Sequence, residues 1–233
     1  MAAGLPLLRR VIAVDAAISR FLHTLFHPYF PTALLLLLEI SADFRFSFPI
    51  CLALLFSPLS PALLPLFSPL LFGLLLDLAV VGLTKAIFRR QRPPYNHSSM
   101  SAVVAVDKFS FPSGHSTRVF FVASLVSLSG TAIEAALLEL KAGGGLAEQW
   151  IVGGDEGRVV EIVAIGVFAW AAITASSRVF LGRHFFLDVV AGVCLGVLEG
   201  LVAFRFLRFE NFLRHPTLSE SRRGCKLSAC NLH

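Results

Sequence analysis

The chain has 233 residues, 56% of them hydrophobic and only 15% charged, with a formal net charge of +5 and a mean hydropathy of +0.76. Soluble domains carry about a quarter charged residues, so this composition excludes an ordinary water-soluble fold and points to an all-α membrane protein. Nor does the basic balance argue for nucleic acid. The lysines and arginines flank apolar runs, where anionic lipid or phosphate is the simpler partner.

In chain order, residues 11–30 mix apolar side chains with Asp15, Arg20, His23 and His27, which predicts a helix lying at the membrane interface. No secretory signal is expected, because Arg9 and Arg10 follow the short apolar stretch instead of preceding it. Residues 32–40 and 47–59 are apolar but each too short to span comfortably alone. Pro58, Pro61 and Pro65 then predict a connection. Four runs read as spans: 67–84 with the single charge Asp77, 119–133 with small hydroxyl residues, 163–177 with no charge, and 185–204 with Asp188 and Glu199. Five or six spans are expected in all, with Asp77 hydrogen-bonded inside the bundle. Residues 141–158 contain six glycines among acids and bases and read as a polar loop. The expected organisation is therefore an N-terminal interfacial segment (1–30), one transmembrane domain (31–207) and a basic polar tail (208–233).

Two patterns in this organisation concern packing and thiols. Gly192, Gly196 and Gly200 recur every four residues in the last span, along a stripe where a neighbouring helix can come close. Cys51 and Cys194 sit in apolar runs and Cys225 and Cys230 in the tail, a spacing that reads as isolated thiols; lipidation of the tail pair is the alternative.

Chemistry concentrates in three segments. Lys85, Arg89, Arg90 and Arg92 follow the 67–84 run directly, with Arg89 and Arg90 read as headgroup anchors. Pro112, Ser113, Gly114 and His115 precede the 119–133 run and turn the chain into a helix whose first N–H groups attract an anion. Ser177 and Arg178 close the third run, and His184 and Asp188 open the fourth, one helical turn apart, so that the carboxylate is expected to reach the imidazole. Ionisable groups at the mouth of a span are costly and therefore functional by default.

If each run crosses once, all three segments fall on one side of the bilayer. Lys85, Arg92, Ser113, His115, Arg178, His184 and Asp188 then share one interfacial pocket. Three cations, a hydroxyl, helix N-terminal amides, two imidazoles and a carboxylate suit a tetrahedral phosphate. Such a cationic shell repels a divalent ion, so metal-independent chemistry and no cofactor are expected. A second pocket, for a soluble substrate, is not expected.

At these residues the chain resembles the type 2 phosphatidic acid phosphatase family, also called lipid phosphate phosphatases. Its signature is Lys, six residues, Arg-Pro; then Pro-Ser-Gly-His; then Ser-Arg, five residues, His, three residues, Asp. Lys85, Arg92 and Pro93, Pro112 to His115, and Ser177, Arg178, His184 and Asp188 match every element. Asp77 to Arg92, with Val106 to Phe109, is similar to the subgroup that contains plant lipid phosphate phosphatases of the beta type and the animal polyisoprenoid diphosphate phosphatase. The resemblance covers roughly residues 38–207.

That resemblance implies His184 as nucleophile, forming a phosphohistidine, with Asp188 holding its ring. Lys85, Arg92 and Arg178, with Ser113 and the Gly114 amide, bind the phosphate, and His115, starting protonated, is the acid and then the base. Arg118 and Arg183 flank the site. The implied partners are a lipid phosphate substrate and membrane lipids. Expected activities are hydrolysis of phosphatidate or an isoprenoid diphosphate, transfer to an alcohol in place of water, or lipid binding without catalysis. The basic tail predicts a cytosolic C-terminus and a pocket facing the lumen of the endoplasmic reticulum or the exterior.

Overall fold

The computed structural model describes residues 4–57, 60–95, 108–142 and 156–208, and among these the protein is entirely helical. The helices are α1 (Gly4–Phe26), α2 (Thr32–Ser41), α3 (Phe44–Leu55), α4 (Ser60–Phe88), α5 (Gly114–Leu128), α6 (Gly130–Ala142), α7 (Glu156–Phe180) and α8 (Phe186–Phe206). Apolar side chains cover the outside, among them Leu78, Leu83, Ile162, Ile165, Ile173 and Leu198. A water-soluble bundle would bury these faces. Here they suit lipid, where backbone groups must be satisfied within each helix.

Among the described residues, three helical stretches are long and apolar enough to cross a bilayer: 62–88, 156–180 and 186–206. A fourth arises if α5 and α6, bent by 63° at their junction, make one broken span. These four coincide with the four runs read from the sequence. The described residues thus give three or four spans by length and composition where five or six are expected; α2 and α3, with 10 and 12 residues, are each too short to be counted.

Two other expectations change. Pro61 and Pro65 do not hold a connection open: α4 starts at Ser60 and continues through Pro65 and Pro69, while Pro58 lies outside the described residues. Proline in the first turn of a helix forfeits no internal hydrogen bond, and membrane helices tolerate interior prolines when neighbouring groups re-satisfy the backbone. At the glycine-rich segment, α6 extends through Ala142 and α7 begins at Glu156. The glycines at 143–154 and the tail cysteines lie outside the described residues, while Cys51 and Cys194 are free thiols.

The centre of the bundle is α5, where Val119, Phe121, Ala123 and Leu125 are all fully buried. It lies tightly along α8, and the reason is the glycine stripe. A Cβ on Gly196 would stand 2.1 Å from the Thr117 carbonyl oxygen, one on Gly192 2.7 Å from that of Ser113, and one on Gly200 2.7 Å from Ser124 Cβ. Only glycine allows the two backbones this close, which brings the N-termini of α5 and α8 side by side. Around this seam, Phe67 and Leu74 of α4 join Phe121, Leu125 and Ala203 in one apolar cluster. Ala175 and Val179 of α7 pack on Val189 of α8 in another.

One buried charge pair lies inside the bundle. Asp77 accepts from Arg118 Nε and Nη2 at 2.9 and 2.7 Å, and Arg118 Nη1 donates to the Ala42 carbonyl at 2.9 Å. The intramolecular hydrogen bond expected for Asp77 is therefore present, and its partner is the arginine that the sequence reading placed beside the site.

Candidate functional site

The site is assembled where α4, α5, α7 and α8 end or begin. Helix α4 stops because Arg89 adopts a left-handed conformation (φ 48°) and donates its N–H to the Lys85 carbonyl at 3.0 Å. This leaves Lys85, itself buried, in the last turn. The chain then runs past Ser110, whose N–H donates to the Arg90 carbonyl at 2.8 Å. The Ser113 N–H donates to the Asp188 carbonyl at 3.0 Å. Backbone hydrogen bonds thus tie all three sequence segments together.

Between α7 and α8 the chain turns at Gly182, with φ +67°, where a Cβ would meet the Tyr95 ring at 2.9 Å. Glycine is required there on both counts. The turn folds the chain back so that the N–H groups of Arg183 and His184 both point at the Arg178 carbonyl, at 3.0 and 3.3 Å. His184 and Arg178, six positions apart in sequence, are in this way locked into one corner.

His184 is 1% exposed. Its Nδ1 lies 2.7 Å from the Ser110 carbonyl oxygen. A carbonyl only accepts, so Nδ1 carries the proton and Nε2 keeps its lone pair. Burial above all, then the nearby charges of Arg92, Arg178 and Lys85, holds the His184 pKa well below the ordinary histidine value. A buried imidazole with a fixed tautomer and an unprotonated Nε2 is a nucleophile in its reactive form.

The expected Asp188–His184 hydrogen bond is corrected by this arrangement. Asp188 Oδ2 stands 3.9 Å from Nδ1, because the carboxylate is held elsewhere. Oδ2 accepts from the Phe185 N–H at 2.9 Å, folding back over the first turn of α8, and Oδ1 pairs with Arg90 Nη1 at 2.6 Å. The Ser110 carbonyl orients the ring, and Asp188 contributes a fully buried negative charge nearby. Arg90 is accordingly no headgroup anchor: it bridges Asp188 and Asp15, the latter through Nη2 at 2.5 Å. Arg89, by contrast, is exposed.

The remaining predicted residues gather around this corner. Arg178 is fully buried, meets Glu39 Oε2 through Nη1 at 3.1 Å, and has no hydrogen-bond partner for Nε or Nη2 among the described residues. Arg92 donates to the Arg183 carbonyl at 3.2 Å. Ser113, fully buried, accepts from the Ser116 hydroxyl at 2.9 Å and precedes Gly114, the first residue of α5. His115 Nε2 is buried without a hydrogen-bond partner among the described residues. Lys85, Arg92 and Arg178 act electrostatically on both His115 and His184, so one set of cations serves both imidazoles. The unpartnered nitrogens of Arg178 and His115, beside Lys85 and Arg92, give this corner the donors and positive charge that an anion would use. No group of three or more His, Cys, Asp or Glu among the described residues could hold a metal ion.

Sequence reasoning missed four participants. Asp15 and Ser19 are buried on α1, and they accept from the Leu187 and Phe186 N–H groups at 2.9 and 2.8 Å, capping α8 from another helix. Glu39 of α2 reaches Arg178, with Arg183 Nε at 3.6 Å from the same oxygen. Ser110 supplies the carbonyl for His184. A signal existed for the first three: Asp15 and Ser19 are one turn apart among apolar residues, and Glu39 is the sole charge in its run. A cavity of about 320 Å³ also opens beside Arg183, lined by His23, His27, Thr32, Leu36, Tyr95 and Leu181. It is made by the placement of α1 and α2, which sequence spacing does not fix.

Comparison with known proteins agrees with the motif pattern. No solved structure matches the chain. It is 51% identical over 203 residues to an Arabidopsis thaliana protein named "Probable lipid phosphate phosphatase beta", an alignment covering 87% of this chain and 93% of that relative. Residues 67–212, which run from the fourth helix to just past the last and carry all three motif segments, match the PAP2 superfamily, and the chain belongs to that superfamily.

Proposed function

We propose that this chain is an integral-membrane lipid phosphate phosphatase that works through a phosphohistidine at His184. The observation that carries the reading is the His184 ring: its Nδ1–H is committed to the Ser110 carbonyl, which leaves Nε2 unprotonated in a corner shared with Lys85, Arg92 and Arg178. The similarity to a protein named as a lipid phosphate phosphatase supports the same class.

In this mechanism Nε2 attacks phosphorus in line and the phosphorus–oxygen ester bond breaks. Lys85, Arg92 and Arg178 hold the non-bridging oxygens, with Ser113 and the Gly114 amide adding hydrogen bonds. His115 gives its proton to the departing lipid alkoxide, then takes one from water as that water attacks the phosphohistidine. Inorganic phosphate leaves and His184 is restored. Asp188 offsets the positive charge that the phosphorylated ring carries. The groups around the phosphate are cations and imidazoles in place of clustered carboxylates, so turnover proceeds without a metal.

The substrate class is a phosphatidate or a related lipid phosphate, including isoprenoid diphosphates. The basic composition of the tail supports, by the positive-inside tendency, a cytosolic C-terminus and a lumenal pocket, in this reading at the endoplasmic reticulum. Nucleic acid is not a partner.

The test is phosphate release by detergent-solubilised protein from phosphatidate, lysophosphatidate, sphingoid phosphate, farnesyl diphosphate and presqualene diphosphate, with and without EDTA. Release should survive EDTA and vanish in His184→Ala and His184→Gln. Unaltered release by these variants removes the nucleophile assignment, and a stoichiometric transfer of phosphate to an added alcohol would reassign the chain as a phosphotransferase.

A further inference from the structure

Helix α1 lies outside the residues that match the superfamily, yet its one carboxylate is 2% exposed and fully committed to the site. Asp15 Oδ1 accepts the Leu187 N–H at 2.9 Å, while Oδ2 pairs with Arg90 Nη2 at 2.5 Å. Through Nη1 the same guanidinium reaches Asp188 Oδ1 at 2.6 Å, and its plane lies over the Phe185 ring, 4.1 Å from the centroid. The Arg90 carbonyl in turn accepts the N–H of Ser110, whose own carbonyl orients His184. An ordinary surface ion pair has none of this commitment. Each carboxylate oxygen of Asp15 and each fork of the guanidinium is used once, in a chain that ends at the reactive imidazole.

We propose that α1 is part of the catalytic machinery, with Asp15 a positioning residue that acts through Arg90 on Asp188 and so on His184. The proposal rests on the reading of His184 as nucleophile. Two negative charges share one positive charge, so the triad carries a net −1 beside an imidazole that must become positive when phosphorylated. Asp15 keeps Arg90 from being neutralised by Asp188 alone, and so leaves part of the Asp188 field for the ring. The other charged or titratable groups that face His184 are Lys85 of α4, Arg92 beyond it, His115 of α5, Arg178 of α7 and Arg183 of the turn, with Glu39 of α2 behind the last two. All but Glu39 are cations or imidazoles, so the triad is the counterweight nearest to the ring.

The experiment is the pH profile of kcat/KM, together with kcat and KM separately, for full-length Asp15→Asn, Arg90→Gln and Arg90→Lys, each checked for thermal stability. The amide oxygen that Asp15→Asn introduces can still accept from the Leu187 N–H, while its NH2 group faces Arg90, so this variant keeps the helix cap and removes the charge together with the Arg90 ion pair. We expect it to lower kcat about 10-fold or more with little change in KM, and to move the acid limb to lower pH by about half a unit. Arg90→Gln leaves two carboxylates unopposed and should move that limb to higher pH, while Arg90→Lys should bring it back toward the parent. Shifts of opposite sign support the proposal. Equal shifts, or a lowered Tm with an unmoved limb, overturn it and leave α1 a purely structural brace. If Asp15→Asn does not fold, the Arg90→Gln and Arg90→Lys pair decides by the same criterion. An active His184→Ala enzyme would instead defeat the underlying reading, whatever the limbs do.

Discussion

Two buried arginines, Arg118 and Arg178, occupy the same helix bundle and have opposite circumstances. Every fork of Arg118 is taken, two by Asp77 and one by the Ala42 carbonyl. Arg178 is buried more completely, has one ion pair with Glu39, and keeps two nitrogens without an acceptor among the described residues. Burying an unsatisfied guanidinium is expensive, and this makes Arg178 the candidate to meet the acceptor oxygens of a ligand. The residue type is identical at the two positions. Only the surrounding acceptors separate a structural charge from one poised for an anion.

Removing each charge in turn separates the two roles. Arg118→Met strands Asp77 in the bundle and should cost about 3–5 kcal/mol of stability, read as a fall in Tm of the detergent-solubilised protein. Adding Asp77→Asn should recover much of that loss, and Asp77→Asn alone should keep phosphate release in whatever fraction folds. If Asp77→Asn folded normally but lost activity, the purely structural assignment of that pair would be wrong. Arg178→Met should show the reverse pattern, with kcat down roughly 10²–10³-fold, as for loss of a transition-state charge donor, and Tm equal to or above that of the parent.

Smaller effects sharpen the picture. Gly196→Ala puts a methyl group 2.1 Å from the Thr117 carbonyl oxygen. Helix α8 must then move off α5, at a cost of about 1–3 kcal/mol. Activity should fall too, because the Ser113–Asp188 backbone hydrogen bond joins the same two helices. Gly166→Ala has open space around it and should be silent on both measures. The smallest effect is a dependence of stability on pH. His184 has a folded pKa well below the unfolded value of about 6.5. Between those two values the unfolded chain binds the extra proton, so stability is full above about pH 6.5 and declines on acidification toward the folded pKa. His184→Gln should flatten that decline in thermal melts taken at successive pH values.

Much of this was legible in the amino acids, and the exceptions have physical reasons. Spans were readable because lipid demands long uncharged runs, and the glycine stripe because four-residue spacing is one helical face. Lys85, Arg92, His115, Arg178 and His184 were assigned to one side by counting crossings. Arg90 was misread because sequence spacing cannot distinguish an arginine pointing at headgroups from one pointing at Asp15, 75 positions earlier. Asp188 was given to His184 by one-turn proximity on a helix, whereas its oxygens are taken by Arg90 and the Phe185 N–H. The α2 and α3 helices were underspecified for the same reason, since short apolar runs carry no record of what they pack against.

The sequence by itself determined that this is a membrane bundle and which residues are candidates to meet a phosphate, because bilayer thickness and motif spacing are local, one-dimensional constraints. Tertiary structure alone decided how those residues are held. Ser110 orients the imidazole, Glu39 steadies Arg178, and Asp15 with Arg90 secures Asp188, each from a distant part of the chain. Hydrogen bonds and ion pairs form between whatever atoms packing brings within about 3 Å. That proximity is a property of the folded bundle, and no spacing along the chain encodes it.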